Sequence, residues 1–103
     1  MSRRPLVAAN WKMNNTIEEA EAFLADFLPE LERQPGVVAV YHFTNTERET
    51  AESTTIVVWR DDASRVAYRQ SDLAKRAFAY EAEHGLAAKR SAFHLTYPAA
   101  GQR

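Results

Sequence analysis

The sequence lacks several features that point to common kinds of site. Its 103 residues include no cysteine, which excludes disulfide bonds, thiol nucleophiles and thiolate metal sites. Only three glycines are present, and they form no glycine-rich loop of the kind that binds a nucleotide phosphate. No stretch approaches the ~20 apolar residues that cross a membrane, and the apolar run near the N-terminus is too short for a secretory signal. We therefore expect a cytoplasmic protein with no membrane partner.

An excess of charge of one sign is also missing. The chain has 13 basic and 14 acidic residues, well mixed along its length. A nucleic-acid partner would lack its usual electrostatic basis, because no basic stripe is present. Length and composition suit one compact domain over residues 1–103, with residues 1–4 and 99–103 as frayed ends.

Hydrophobic patterning predicts four strands and the helices between them. After the first strand, a capping box at Thr16 begins a helix that Pro29 should kink. After the third strand, an aspartate at position 61 or 62 caps a short helix, and Ser71 caps a second helix that Gly85 ends. The order β-α-β-β-α-β predicts an α+β, ferredoxin-like fold: a four-stranded antiparallel sheet with helices on one face. The predicted strands cover residues 6–11, 37–43, 54–59 and 92–98.

The second and third strands, VVAVYHF and TIVVW, do not alternate between apolar and polar residues. A sheet with one face in water should alternate in this way, so both faces of this sheet are expected to be covered. The simplest cover for the second face is another copy of the same sheet, and we expect a homodimer through that face. A monomer that tolerates small apolar residues outside is the alternative.

The stretches PGVVAVYHF and IVVWRDDASRVAYRQSDLAKRA are similar to the antibiotic biosynthesis monooxygenase domain of the dimeric α/β-barrel superfamily. The resemblance rests on a strand ending in Trp59, an acidic turn, Tyr68 nine residues later, and the Ser71–Asp72 pair. It implies a pocket between sheet and helices in each protomer. In similar members, cofactor-free enzymes oxidise electron-rich aromatic polyketides with molecular oxygen.

Relatives in the same superfamily degrade haem, which gives a second implication of the resemblance. Those enzymes place an asparagine on the first strand, a tryptophan at the end of the third strand and a proximal histidine on the second long helix. Asn10 and Trp59 match the first two by position, but Phe78 stands where the histidine belongs. Phenylalanine cannot ligate iron, so haem is the weaker interpretation.

The opening stretch VAANWKMNN, and residues 4–37 around it, resemble the N-terminus of triosephosphate isomerase. That enzyme is a barrel of eight strand–helix units and needs at least ~200 residues. This chain is too short to close such a barrel, and it carries no later catalytic segment of that family.

Histidine, asparagine and aromatic residues are the candidates for chemistry. An asparagine amide can stabilise an oxyanion, a tryptophan can stack on a planar substrate, and a histidine near neutral pH can act as a general base. Each also has a structural explanation, as a strand-end amide, a core ring or a satisfied histidine. The three histidines show no metal-ligand spacing, and we expect no metal and no cofactor. The predicted catalytic residues are Asn10, Trp59 and His42, and the predicted substrate contacts are Tyr68, Phe78 and His94.

The resulting hypothesis is a cofactor-independent monooxygenase that oxidises a small phenol, quinol or polyketide-like aromatic with oxygen. One alternative is a non-catalytic dimeric small-molecule-binding domain of the same fold. The other is a haem-binding or haem-degrading monooxygenase. The fold alone does not choose between them, because one architecture hosts many functions.

Overall fold

The elements follow one another in the order strand, helix, two strands, two helices, strand. The structure is a computed structural model that describes residues 4–12, 17–44, 52–83 and 87–96. The elements are β1 (Pro5–Lys12), α1 (Ile17–Glu32), β2 (Val37–Thr44), β3 (Glu52–Trp59), α2 (Asp62–Arg69), α3 (Asp72–Glu83) and β4 (Ala87–His94).

The four strands form one sheet in the order β2-β3-β1-β4, and every neighbouring pair is antiparallel. This arrangement confirms the predicted α+β ferredoxin-like fold. The predicted range of the last strand, residues 92–98, is wrong, because β4 begins at Ala87 and ends at His94. β4 pairs along the whole of β1, from Pro5↔His94 to Lys12↔Ala87. The first part of β4 is polar, so the apolar pattern does not predict it as a strand. Backbone hydrogen bonds to β1 hold it in the sheet.

The predicted caps are confirmed where the structure describes them. The Asp61 carboxylate accepts a hydrogen bond from the Ser64 amide at 2.8 Å, and the Ser71 hydroxyl accepts one from the Ala74 amide at 3.1 Å. α1 continues through Pro29 as one helix. The caps predicted at Thr16 and Gly85 lie outside the described residues.

The two faces of the sheet have different surroundings. Alternate residues of β3 are buried, namely Ser53, Thr55, Val57 and Trp59, and this face packs against the helices. The other face carries apolar side chains, as the sequence predicted, and no described element covers it. Three large rings there, those of Tyr41, Phe43 and Phe93, are each 52% exposed.

Gly36 connects the end of α1 to β2 in a conformation that other residues avoid. Its φ is +85°, in the left-handed region, and its carbonyl accepts a hydrogen bond from the Arg60 amide at 2.6 Å. A Cβ added at this position would lie 2.2 Å from Ser64 Oγ and 2.3 Å from Ser64 Cβ. The turn between α1 and β2 therefore packs directly against the start of α2.

We expect Gly36→Ala to lower the free energy of unfolding by at least about 2 kcal/mol, from left-handed strain together with the clash. Urea denaturation followed by circular dichroism measures this loss. In a Ser64→Gly background, the added Gly36→Ala change should cost less stability than it does in the wild type. The clashing Ser64 atoms are then absent, whereas the left-handed backbone strain remains. Equal stability of Gly36→Ala and the wild type would show that the turn is not held as described.

Candidate functional site

A cavity of about 300 Å³ lies between the helix-facing side of the sheet and the helices. This volume is at the lower end of the range for small-molecule sites, ~300–1,000 Å³. Four aromatic rings line it, those of Phe27, Trp59, Tyr68 and Phe78. The polar residues that line it are Thr55, Arg65, Arg69, Arg90 and Ser91.

Trp59 forms the innermost aromatic wall. It ends β3 on the helix-facing side and is 1% exposed. Its ring centroid lies 5.3 Å from that of Tyr68 on α2, with the planes tilted by 38°. Burial raises the pKa of Tyr68 to about 12, with Arg90 opposing the shift and Glu81 adding to it. The Tyr68 hydroxyl is therefore protonated at neutral pH and can act as a hydrogen-bond donor.

Arg90 closes another side of the cavity and is held by two contacts. Its Nη2 donates to Glu81 Oε2 at 3.0 Å, and its Nη1 lies 2.7 Å from Glu81 Oε1. Its guanidinium carbon also lies 4.8 Å from the centroid of the Phe78 ring. Glu81 is buried at 7% exposure, and the ion pair with Arg90 offsets part of the cost of burying its carboxylate, although Glu81 Oε1 accepts no hydrogen bond from the described part of the chain.

Arg65 and Arg69, on the same face of α2, also line the cavity. Arg65 is partly buried, and its Nε lies 3.2 Å from the Asp62 carboxylate. Arg69 is exposed. Within the described ranges, no residue forms an ion pair or a hydrogen bond with the Arg69 guanidinium.

Thr55 connects the cavity to a histidine behind it. Thr55 is buried and lines the cavity, and its hydroxyl lies 2.8 Å from Nδ1 of His42 on β2. Burial lowers the pKa of His42, while Glu21 on α1 opposes the shift. The neutral imidazole is favoured, and a neutral imidazole can take a proton from the Thr55 hydroxyl.

The structure brings three of the six predicted site residues to the cavity: Trp59, Tyr68 and Phe78. His42 lies one hydrogen bond away, through Thr55. His94 does not line the cavity, because it sits at the end of β4 with its Nε2 3.5 Å from the exposed Asp62.

Asn10 does not share a pocket with Trp59. It pairs with Thr54 on β3, and successive strand residues point to opposite faces, so Asn10 lies on the face away from the helices. Its amide donates to Glu52 Oε1 at 2.9 Å and to Thr54 Oγ1 at 3.3 Å. The expectation of a pocket amide opposite Trp59 is therefore corrected by strand register.

Sequence reasoning did not include Thr55, Arg65, Arg69 or Arg90 among the candidate site residues. The spacing of Arg65, Tyr68 and Arg69 already placed the three on one side of a helix. Thr55 shares the two-residue period of Trp59 and could have been found from it. Arg90 gave no such signal, because it lies outside the range predicted for the last strand. In the described ranges, no group of three histidine or carboxylate side chains could hold a metal ion, and no helix is long and apolar enough to cross a membrane.

Solved structures with this fold cover nearly the whole chain. A conserved protein from Bacteroides thetaiotaomicron, described as a possible oxidoreductase, has a TM-score of 0.80 at 14% identity, over 92% of this chain and all of that one. SnoaB, a cofactor-independent oxygenase from Streptomyces nogalater, has a TM-score of 0.72 at 24% identity, over 94% of this chain and 99% of that one. A proposed antibiotic biosynthesis monooxygenase from Deinococcus radiodurans has a TM-score of 0.71 at 10% identity, over 88% of this chain and 91% of that one. The chain therefore shares its fold with these proteins.

Sequence comparison gives a different relationship. The triosephosphate isomerase family model matches residues 5–67, and by sequence the chain belongs to that family. The isomerase of Rubrobacter xylanophilus is 51% identical over 41 residues, which are 40% of this chain and 16% of that enzyme. The isomerase of Parasynechococcus marenigrum is 32% identical over 96 residues, covering 82% of this chain and 37% of that enzyme. The chain thus spans well under half the length of these curated relatives.

The lowered pKa of His42 predicts how stability depends on pH. Between the folded-state pKa and the usual value of about 6.5, the unfolded chain binds more protons than the folded one. The contribution of neutral His42 is therefore complete above about pH 6.5 and is lost as the pH falls through the lowered pKa. Urea unfolding at several pH values should show a steeper loss below pH 6.5 for the wild type than for His42→Gln. His94→Gln, which removes an exposed imidazole, should keep the steep loss; identical slopes for wild type and His42→Gln would contradict the burial of His42.

Proposed function

We propose that the chain is a cofactor-independent monooxygenase that oxidises a small electron-rich aromatic, such as a phenol or quinol, with molecular oxygen. The observation that carries the proposal is the cavity, in which four aromatic rings stand beside a hydroxyl hydrogen-bonded to a partly buried histidine whose pKa is lowered by burial. A planar substrate can stack on Trp59, and its phenolic proton can leave through Thr55 to His42. The fold shared with SnoaB, a cofactor-independent oxygenase, supports the same class of reaction.

The proposed reaction draws its electrons from the substrate. Loss of the phenolic proton to the Thr55–His42 pair gives an electron-rich phenolate, which reduces oxygen by one electron, and the two radicals combine into a hydroperoxide. Loss of water then leaves a carbonyl on the ring. One oxygen atom enters the product and the other leaves as water, whose two hydrogens are the phenolic hydrogen and the hydrogen of the ring carbon that is oxidised. The protein binds the ring and moves the proton.

Substrate turnover should depend on the relay from Thr55 to His42. We expect oxygen uptake with an anthrone or quinol substrate and no added cofactor, measured with an oxygen electrode. Thr55→Val should lower kcat by about 100-fold, the usual range for losing a general base. Thr54→Val changes the neighbouring residue on the opposite face and should leave kcat within about twofold of the wild type.

No oxygen uptake above buffer with a broad panel of aromatics would overturn the oxygenase proposal. Saturable binding of the same aromatics without turnover would then favour the non-catalytic binding domain. The haem alternative is weaker, since no histidine lines the cavity in the described part of the chain.

The family match favours triose phosphate isomerisation as a second candidate function. The matched segment, residues 5–67, runs from β1 through most of α2. Its strands belong to an antiparallel sheet, whereas the strands of a triosephosphate isomerase barrel are parallel. Asn10, in the segment that resembles the isomerase, is bound to Glu52 and Thr54 on the face away from the cavity. We therefore place this candidate second; a coupled assay with glyceraldehyde 3-phosphate separates it from oxygen uptake.

The outer face of the sheet is proposed to pair with a second copy of the chain. Tyr41, Phe43 and Phe93 stand half-exposed across this face, and apolar patches of this kind usually mark an interface. Antiparallel sheets pack face to face about 10 Å apart, so two such faces can bury one another. The dimer would leave each cavity open on the helix side.

We expect a dimer in analytical ultracentrifugation, with association weakened at least about tenfold by Phe43→Asp/Phe93→Asp, because each charge would be buried in the interface. Val66→Asp is the matched control, since Val66 is 49% exposed on α2, away from the sheet. A monomeric wild type at all concentrations, or an equal effect of the Val66 control, would count against this interface.

A further inference from the structure

Most residues that line the cavity are apolar, and the charged residues among them are all basic. Three arginines line it, Arg65, Arg69 and Arg90. Among the described residues, Asp62 contacts Arg65 and Glu81 contacts Arg90. The positive charge of Arg69 is therefore left in excess on this side of the cavity.

The excess charge lies at Arg69. Glu81 occupies two nitrogens of Arg90, and Asp62 contacts Nε of Arg65. The Arg69 guanidinium contacts no carboxylate in the part of the chain that the structure describes. Its planar fork of N–H donors matches a carboxylate with two parallel hydrogen bonds.

We infer that the cavity is specific for aromatic carboxylates, with the ring between Trp59 and Phe78 and the carboxylate on Arg69. Arg65 lies one helical turn before Arg69 and adds positive potential to the same side. The protonated hydroxyl of Tyr68, between the two arginines in sequence, supplies a neutral donor. Arg69 is exposed, so water screens its charge, and the two parallel hydrogen bonds of its guanidinium carry the preference for a carboxylate.

This inference deepens the proposed function by naming its substrate class, and it rests on that proposal only for the choice of this cavity as the substrate site. Binding without turnover therefore tests it separately. The probes are 2-naphthoate and 2-naphthamide, which share ring and shape but differ in charge. Neither is an electron-rich phenol, so a failure of oxygen chemistry leaves the test intact.

Isothermal titration calorimetry and quenching of tryptophan fluorescence measure both probes. The wild type should bind 2-naphthoate at least about tenfold more tightly than 2-naphthamide, as expected for one charge-assisted hydrogen-bonded pair. Arg69→Gln should remove that preference by weakening the acid alone, and Arg69→Lys should restore part of it. Arg76→Gln, an exposed arginine on α3 paired with Glu30, is the control and should keep the full preference.

Thermal melts by circular dichroism establish that each variant is folded before binding is compared. Equal affinity of the wild type for the two probes would overturn the inference. So would an equal loss for both probes in Arg69→Gln, since a structural defect weakens ring binding and charge recognition alike. Oxygen uptake that fails while the carboxylate preference holds would overturn the oxygenase proposal and leave this one standing.

Discussion

The two-residue alternation along β3 is the constraint on which the rest of the structure depends. β3 lies between β1 and β2, so its side chains set what each face of the sheet presents at its centre. Thr55, Val57 and Trp59 point toward the helices and build the cavity, while Thr54, Ile56 and Val58 point away. A shift of one residue in the pairing of β3 would exchange the two sets, because side chains along a strand alternate between the two faces of the sheet. Cavity, core and outer face are therefore fixed together by one register.

The same constraint explains how a small domain combines apolar walls with charged groups. Apolar side chains from the helices pack on the central strands and leave an aromatic hollow beside two of them, Phe27 and Leu31; the helix residues are Leu24, Phe27, Leu31, Leu73 and Ala77. The arginines reach that hollow from α2 and from the edge strand β4, where their stems can pack while the guanidinium groups stay near solvent. The two terminal nitrogens of Arg90 lie close to the carboxylate of the buried Glu81, and this ion pair offsets part of the cost of burying that charge. The positive charge at the cavity therefore depends on how α2 and β4 pack against the sheet, and not only on the number of arginines in the chain.

The sequence of this chain is related to triosephosphate isomerase, whereas its fold is shared with the solved structures compared above. Membership of the triosephosphate isomerase family rests on residues 5–67, which hold a strand, a helix, two further strands and most of α2. A strand followed by an amphipathic helix is a local unit whose sequence pattern is the same in a parallel barrel and in an antiparallel sheet. The strands that come after this unit decide which sheet forms. Here β3 runs antiparallel to both β1 and β2, and β4 joins the free edge of β1, so four strands complete a ferredoxin-like sheet.

The sequence by itself determined the order of the elements, the caps at Asp61 and Ser71, the apolar outer face, and the aromatic residues Trp59, Tyr68 and Phe78 as candidates. These features depend on local periodicity and on side chains that bond to nearby backbone groups. Only the tertiary structure decided that Asn10 faces away from Trp59, that His42 reaches the cavity through Thr55, and that Arg90 on β4 pairs with Glu81. The physical reason is strand pairing: register joins residues 13 positions apart in His42–Thr55 and 44 apart in Asn10–Thr54, and no local pattern fixes that register.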